Sequence, residues 1–206
     1  MTIFLILAPY GVFTLLMLAT SAAVSLFAAS GVCLAVIGLD AYRGRSVKLL
    51  GTGSAVVFAG LGVYFTLVDP SLSTSAVRFF VDAGMFVISA GSMLIRFPFT
   101  LQYAIESVPA ETAAMPGFLR ANYIITAAWA AAALMMMLAN MAMLYVPALP
   151  IWLSLAIAFA ARNSAIYFTK WYPEYRRTKP ASVTVQESAL RNRDMVPHAD
   201  AMPDPR

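Results

Sequence analysis

Apolar residues run almost unbroken over residues 3–18, 22–39, 49–68, 77–95, 123–146 and 151–168, separated by short polar links. Runs of this length, about 17 to 24 residues, reach roughly 26 Å or more as helices at 1.5 Å per residue, enough to cross hydrocarbon. Barrel strands, which alternate apolar and polar positions over about ten residues, do not fit. The pattern predicts an all-α polytopic transmembrane helix bundle of six spans, or five plus a half-inserted N-terminal helix. A cleaved leader is disfavoured, because no Lys or Arg precedes the first apolar run.

Two intervals break the pattern. Residues 96–122 form the one long polar interval before the C-terminal tail. Within it Phe97, Leu101, Ala104, Ile105 and Val108 recur at helical spacing, with Thr100, Gln102, Tyr103 and Glu106 opposite. Two readings fit: an amphipathic helix along a membrane surface, or a solvated connector whose apolar residues cover neighbouring helix ends. Pro109 stops the run, and Pro116-Gly117 makes the turn into the next span. From Lys170 the composition turns charged, with seven basic and five acidic residues, which predicts a disordered solvated tail. The expected organisation is therefore a bundle over residues 1–169, a cytoplasmic amphipathic connector at 97–121, and a cytoplasmic tail at 170–206.

Composition sharpens the class. The 206 residues are 61% hydrophobic and 12% charged, with a mean hydropathy of +0.76. Soluble domains carry roughly 25% charged residues. The net charge of +4 reads as a topology signal rather than a nucleic-acid footprint. Arg43, Arg45 and Lys48, then Arg96 and Arg120, then the start of the tail, fall on one side of the alternating spans, against Arg78 alone on the other. That bias places those segments and the C-terminus in the cytoplasm.

The order of the local wording resembles the intracellular septation protein A group of bacterial inner-membrane proteins. The similarity covers about residues 5–175. It comprises Pro9-Tyr10 in the first run, the Ala19-Thr20 step, and a basic turn after the second run. Phe65-Thr66-Leu67 ends the third, and a connector follows Arg96 and Pro98. Asn122 then precedes Ala127-Ala128-Trp129-Ala130, Leu138-Ala139-Asn140 follows, and Tyr172-Pro173 closes the membrane region. Phe97 stands where the group carries a basic residue, and the chain after Lys179 is additional. The resemblance implies a bacterial inner-membrane protein with a part in envelope upkeep and septation, and no catalytic residues to carry over.

Candidate chemistry is sparse. Arg162-Asn163 is the most informative polar pair within a span, with Arg162 about 12 Å of helix from Lys170. A guanidinium at that depth faces the bundle interior or a water pocket, or snorkels to the interface. Asp40 and Glu106 are its candidate partners. Asn122 and Asn140 read as inter-helix hydrogen-bonding glue. Arg78 and Asp82, four residues apart near a helix end, read as an interface clamp. Gly60, Gly62, Gly84 and Gly91 read as close-packing positions and not nucleotide loops. Met135, Met136 and Met137 are soft Cu(I) ligands by type, but successive residues point in different directions around a helix, so packing is expected. The one histidine, His198, lies in the tail, and Cys33 is the only cysteine. Asp40, Asp69 and Glu106 are isolated acids, so no enzymatic activity, no cofactor and no metal is expected. The expected role is contact with membrane lipids and other inner-membrane envelope or division proteins, with a homo-oligomer possible and no nucleic acid. The rival is a small-solute or ion transporter lined by Arg162, Asn140, Asn163 and Asp82.

Overall fold

A computed structural model describes residues 2–146 and 148–178, all in helices and short links. The helices are α1 (Thr2–Ala19), α2 (Ala22–Tyr42), α3 (Leu49–Leu67), α4 (Thr74–Leu94), α5 (Phe99–Ile105), α6 (Ala110–Ala113), α7 (Pro116–Tyr145) and α8 (Ile151–Thr178). The chain is an all-α polytopic membrane bundle. α2, α3, α4, α7 and α8 are each long and apolar enough to cross a membrane, and α1 contributes a shorter apolar stretch, Leu7–Ala19.

Met1–Phe168 makes one compact unit, and α8 continues into a second that begins at Thr169. The helix carries on through Thr178, past the Lys170 where the composition alone places a disordered tail. Within that second unit Trp171 and Tyr175, one turn apart, stack with ring centroids 4.8 Å apart. The rest of the expected tail, His198 included, lies outside the described residues.

In the first unit α1 packs on α2, α2 on α3, α3 on α4 and α4 on α7. Consecutive spans run in opposite directions. The α1–α2, α3–α4 and α7–α8 links therefore fall at one end, and the α2–α3 link and the α5–α6 connector at the other. Ser21 and Ser73 cap α2 and α4 by accepting from Val24 N and Ala76 N. α3 and α4 approach closely at Gly84, where an added Cβ would sit 2.7 Å from Val57 Cγ1. Gly62 meets Phe27 in the same way, whereas Gly60 and Gly91 face open space. The core centres on Phe58, which is fully buried and lies 5.3 Å from the Tyr10 ring and 5.5 Å from Phe13.

α5 lies against the ends of neighbouring helices. α5 uses its polar residues to dock: Leu49 N–H donates to Gln102 Oε1 at 2.7 Å, capping the start of α3. Thr100 donates to Asn122 O at 2.9 Å and shares a hydrogen bond of 2.7 Å with Thr126. Phe99 N–H donates to Ser92 Oγ, while Phe99 and Leu101 are buried beneath. Ile105 and Phe97, expected on the apolar face, are each 44% exposed.

Candidate functional site: a polar cavity among four helices

Asp82 is expected at an interface clamp but is buried within the bundle, 7% exposed. It lies eight residues into α4, one turn and a little more beyond Arg78, so both side chains share a face. Asn140, five residues from the end of α7, donates from Nδ2 to Asp82 Oδ2 at 2.9 Å and to Met136 O at 3.1 Å. Ser154, at the first turn of α8, donates to Asn140 Oδ1 at 2.8 Å. One buried amide thus joins three helices, α4, α7 and α8. The expected role of Asn140 as inter-helix glue fits this geometry.

These groups border a cavity of ≈ 30 Å³ whose walls also carry Phe13, Thr14, Arg78 and Arg162. That is room for about one or two water-sized particles. Arg162 lies eleven residues into α8, about 16 Å along its axis from Ile151. It faces the interior, not the interface. Its Nη2 donates to Met136 Sδ at 3.9 Å, and its Nε is buried without a hydrogen-bond partner among the described residues. Arg78 is 8% exposed and makes no hydrogen bond among the described residues. Among those residues, neither guanidinium comes within 4.0 Å of the Asp82 carboxylate.

The candidate partners for Arg162 are elsewhere. Glu106 is bound by Lys48, whose Nζ donates to Glu106 Oε1 at 2.7 Å and to Ser46 O at 2.9 Å. Lys48 is itself buried, with its ammonium 5.6 Å from the centre of the Tyr103 ring. The Lys48 and Ser46 hydrogen bonds hold the Glu106 carboxyl below the usual range. Asp40 lies 3.8 Å from Arg45. Both acids belong to the end of the bundle that bears the basic links, while Arg162 turns toward Asp82, which belongs to the other.

The remaining candidates do not join the cavity. Asn163 is exposed and donates to Phe159 O in its own helix. Asn122 donates to Phe118 O of its own helix, and among the described residues its side chain makes no bond to another helix. Among the described residues no three His, Cys, Asp or Glu side chains gather around a point that suits a metal ion. Met136 is buried while Met135 is exposed, so the two do not share a face.

Ser154 and Thr14 escape a reading of the sequence alone. A signal is present for Ser154: with Ala158 and Arg162 it repeats every four residues, one face of α8. No family model, no curated protein and no solved structure matches this chain.

Proposed function

We propose that this membrane protein binds and passes a small polar solute or ion through the cavity bordered by α1, α4, α7 and α8. The observation that carries the reading is a buried Arg78 with no hydrogen bond among the described residues and a half-buried Arg162 whose Nε has none, beside a hydrogen-bonded Asp82–Asn140–Ser154 chain. Charged side chains within a span are costly and mark solute or ion paths by default, and purely structural ones are paired. Ordering three helices around a polar cavity has no packing advantage over filling it with Leu. Neither bond-making nor a cofactor enters this role. The test is uptake of a panel of labelled solutes, anions, cations and small neutral molecules, into proteoliposomes holding the full chain. Uptake of at least one above empty liposomes supports the reading, and none across the panel contradicts it.

The resemblance of the segment order to the septation protein A group supports a second reading. In it the chain sits in a bacterial inner membrane with its C-terminus cytoplasmic and contacts envelope and division proteins. Large apolar side chains such as Leu34, Val56, Val87 and Phe159 point outward from the bundle, as lipid or partner contact requires. Cross-linking in intact cells separates the readings: recovered division proteins support contact as the role, and self-only or no products count against it.

A further inference from the structure

We infer that the cavity between Arg78 and Arg162 is a site for a small monovalent anion, of halide size, with Asp82 as the built-in competing charge. The inference rests on the solute-site reading above and names the class of solute.

Charge comes first. Within the helices around the cavity, α1 has no charged residue, α4 has Arg78 and Asp82, and α7 has only Arg120, at its far end. α8 contributes Arg162 alone between Ile151 and Phe168. Two guanidiniums therefore face one carboxylate, and at least one positive charge has no protein counter-charge. In a span that charge needs a mobile partner, because the low-dielectric surroundings leave it unscreened.

The hydrogen-bonding inventory gives the same sign. Thr14 spends its hydroxyl proton on Tyr10 O at 2.8 Å, and Ser154 spends its own on Asn140. Asn140 directs both its bonds from Nδ2 to Asp82 and Met136. Apart from the weak contact of one Arg162 Nη2 with Met136 Sδ, the unspent donors at the cavity are the N–H groups of Arg78 and Arg162, all cationic. The charged acceptor is the Asp82 carboxylate, which a cation would have to share with two arginines; the hydroxyl oxygens of Thr14 and Ser154 add only neutral lone pairs. An anion meets the reverse arrangement: two donor forks, and one fixed carboxylate that keeps its hold from becoming permanent.

Size sets the limit. A cavity of ≈ 30 Å³ takes a single ion of about the bulk of one or two waters.

The experiment uses the full chain purified in detergent, titrated with sodium chloride or bromide against sodium gluconate at constant ionic strength, and read by thermal unfolding. A ligand that binds the folded state raises the midpoint with its concentration. Wild type is expected to gain with chloride and bromide over gluconate. Arg78→Gln and Arg162→Gln lose the response, with apparent affinity about tenfold weaker or worse. Arg78→Lys and Arg162→Lys keep charge and keep a response, which separates lost binding from lost folding. Asp82→Asn, with the competing charge removed and the amide able to meet Asn140, binds several-fold tighter, an outcome no purely structural role predicts. No halide response in wild type, or the same response in the Gln variants, overturns the inference. If proteoliposomes instead carry a cation or neutral solute through an Arg162-dependent path, the anion assignment falls while the solute site stands. If nothing is bound or carried, both fall.

Discussion

Asn140 and Asp82, 58 residues apart in the chain, meet at 2.9 Å inside the bundle, with the amide as donor. The same amide accepts from Ser154 through Oδ1, so its two ends fix two different neighbours. An amide held this way has one orientation only. It ties α8, whose outer face is exposed at Trp152 and Phe159, to the more deeply embedded α4 and α7.

Asn140→Ala removes both inter-helix bonds and leaves Asp82 and Ser154 without them. Inter-helix hydrogen bonds within membranes run to about 0.6–2 kcal/mol each, so the variant is expected to lose about 1–3 kcal/mol. Ser154→Ala loses only one bond and less stability. Unfolding in mixed micelles measures both, and equal losses would contradict the bridging role.

Lys48 and Glu106 link the α2–α3 turn to α5 at 2.7 Å, with the lysine buried. Glu106 titrates below its unfolded value of about 4.3, so the contact adds stability that is present above that pH. It is lost as pH falls through the lowered folded value. Glu106→Gln is therefore expected to be less stable than wild type at pH 7. The gap should narrow as the pH falls through the lowered folded value, where the wild-type carboxyl also takes up its proton. A gap that stays constant with pH would show that charge is not what holds α5.

Gly84 and Gly91 look alike in sequence and differ in surroundings. A Cβ at Gly84 meets Val57 at 2.7 Å, and one at Gly91 meets nothing within 4 Å. Gly91→Ala is expected to be neutral or to gain up to about 1 kcal/mol from helix propensity. Gly84→Ala is expected to destabilise, and Val57→Ala in the same chain to restore part of the loss. Thermal midpoints of the three variants decide it.

Arg96 ends α4 with φ 60, a left-handed conformation, while its N–H donates to Met93 O at 3.0 Å and that of Phe97 to Ser92 O at 2.9 Å. This helix stop usually takes glycine. Gly44, φ 67, fills the equivalent place after α2. Arg96→Gly relieves strain of about 1 kcal/mol and is expected to raise the unfolding midpoint, whereas Gly44→Ala lowers it.

The spans are legible in the sequence because a continuous apolar run needs no partner to declare itself, and the helix limits of α2, α3 and α4 fall close to the composition breaks. The site is half legible. Arg78, Asp82, Asn140 and Arg162 stand out as polar residues in apolar runs, but which of them meet depends on long-range packing that no local pattern records. Side of membrane alone matches Arg162 to Asp40 and Glu106, yet a guanidinium eleven residues into α8 reaches toward the opposite end. Asn163 draws notice as its neighbour, although adjacent helical residues point about 100° apart. The polar face of 99–105 reads as solvent contact because capping of α3 by Gln102 involves residues 53 positions apart.

Solute uptake by Arg162→Gln set beside uptake by Asn163→Gln tests the cavity most directly, since the two positions are neighbours in sequence and only the Arg162 side chain borders the cavity. With both variants folded in proteoliposomes, uptake is expected to fall about tenfold or more in Arg162→Gln and to match wild type in Asn163→Gln. Equal uptake in the two would contradict a working site at Arg162.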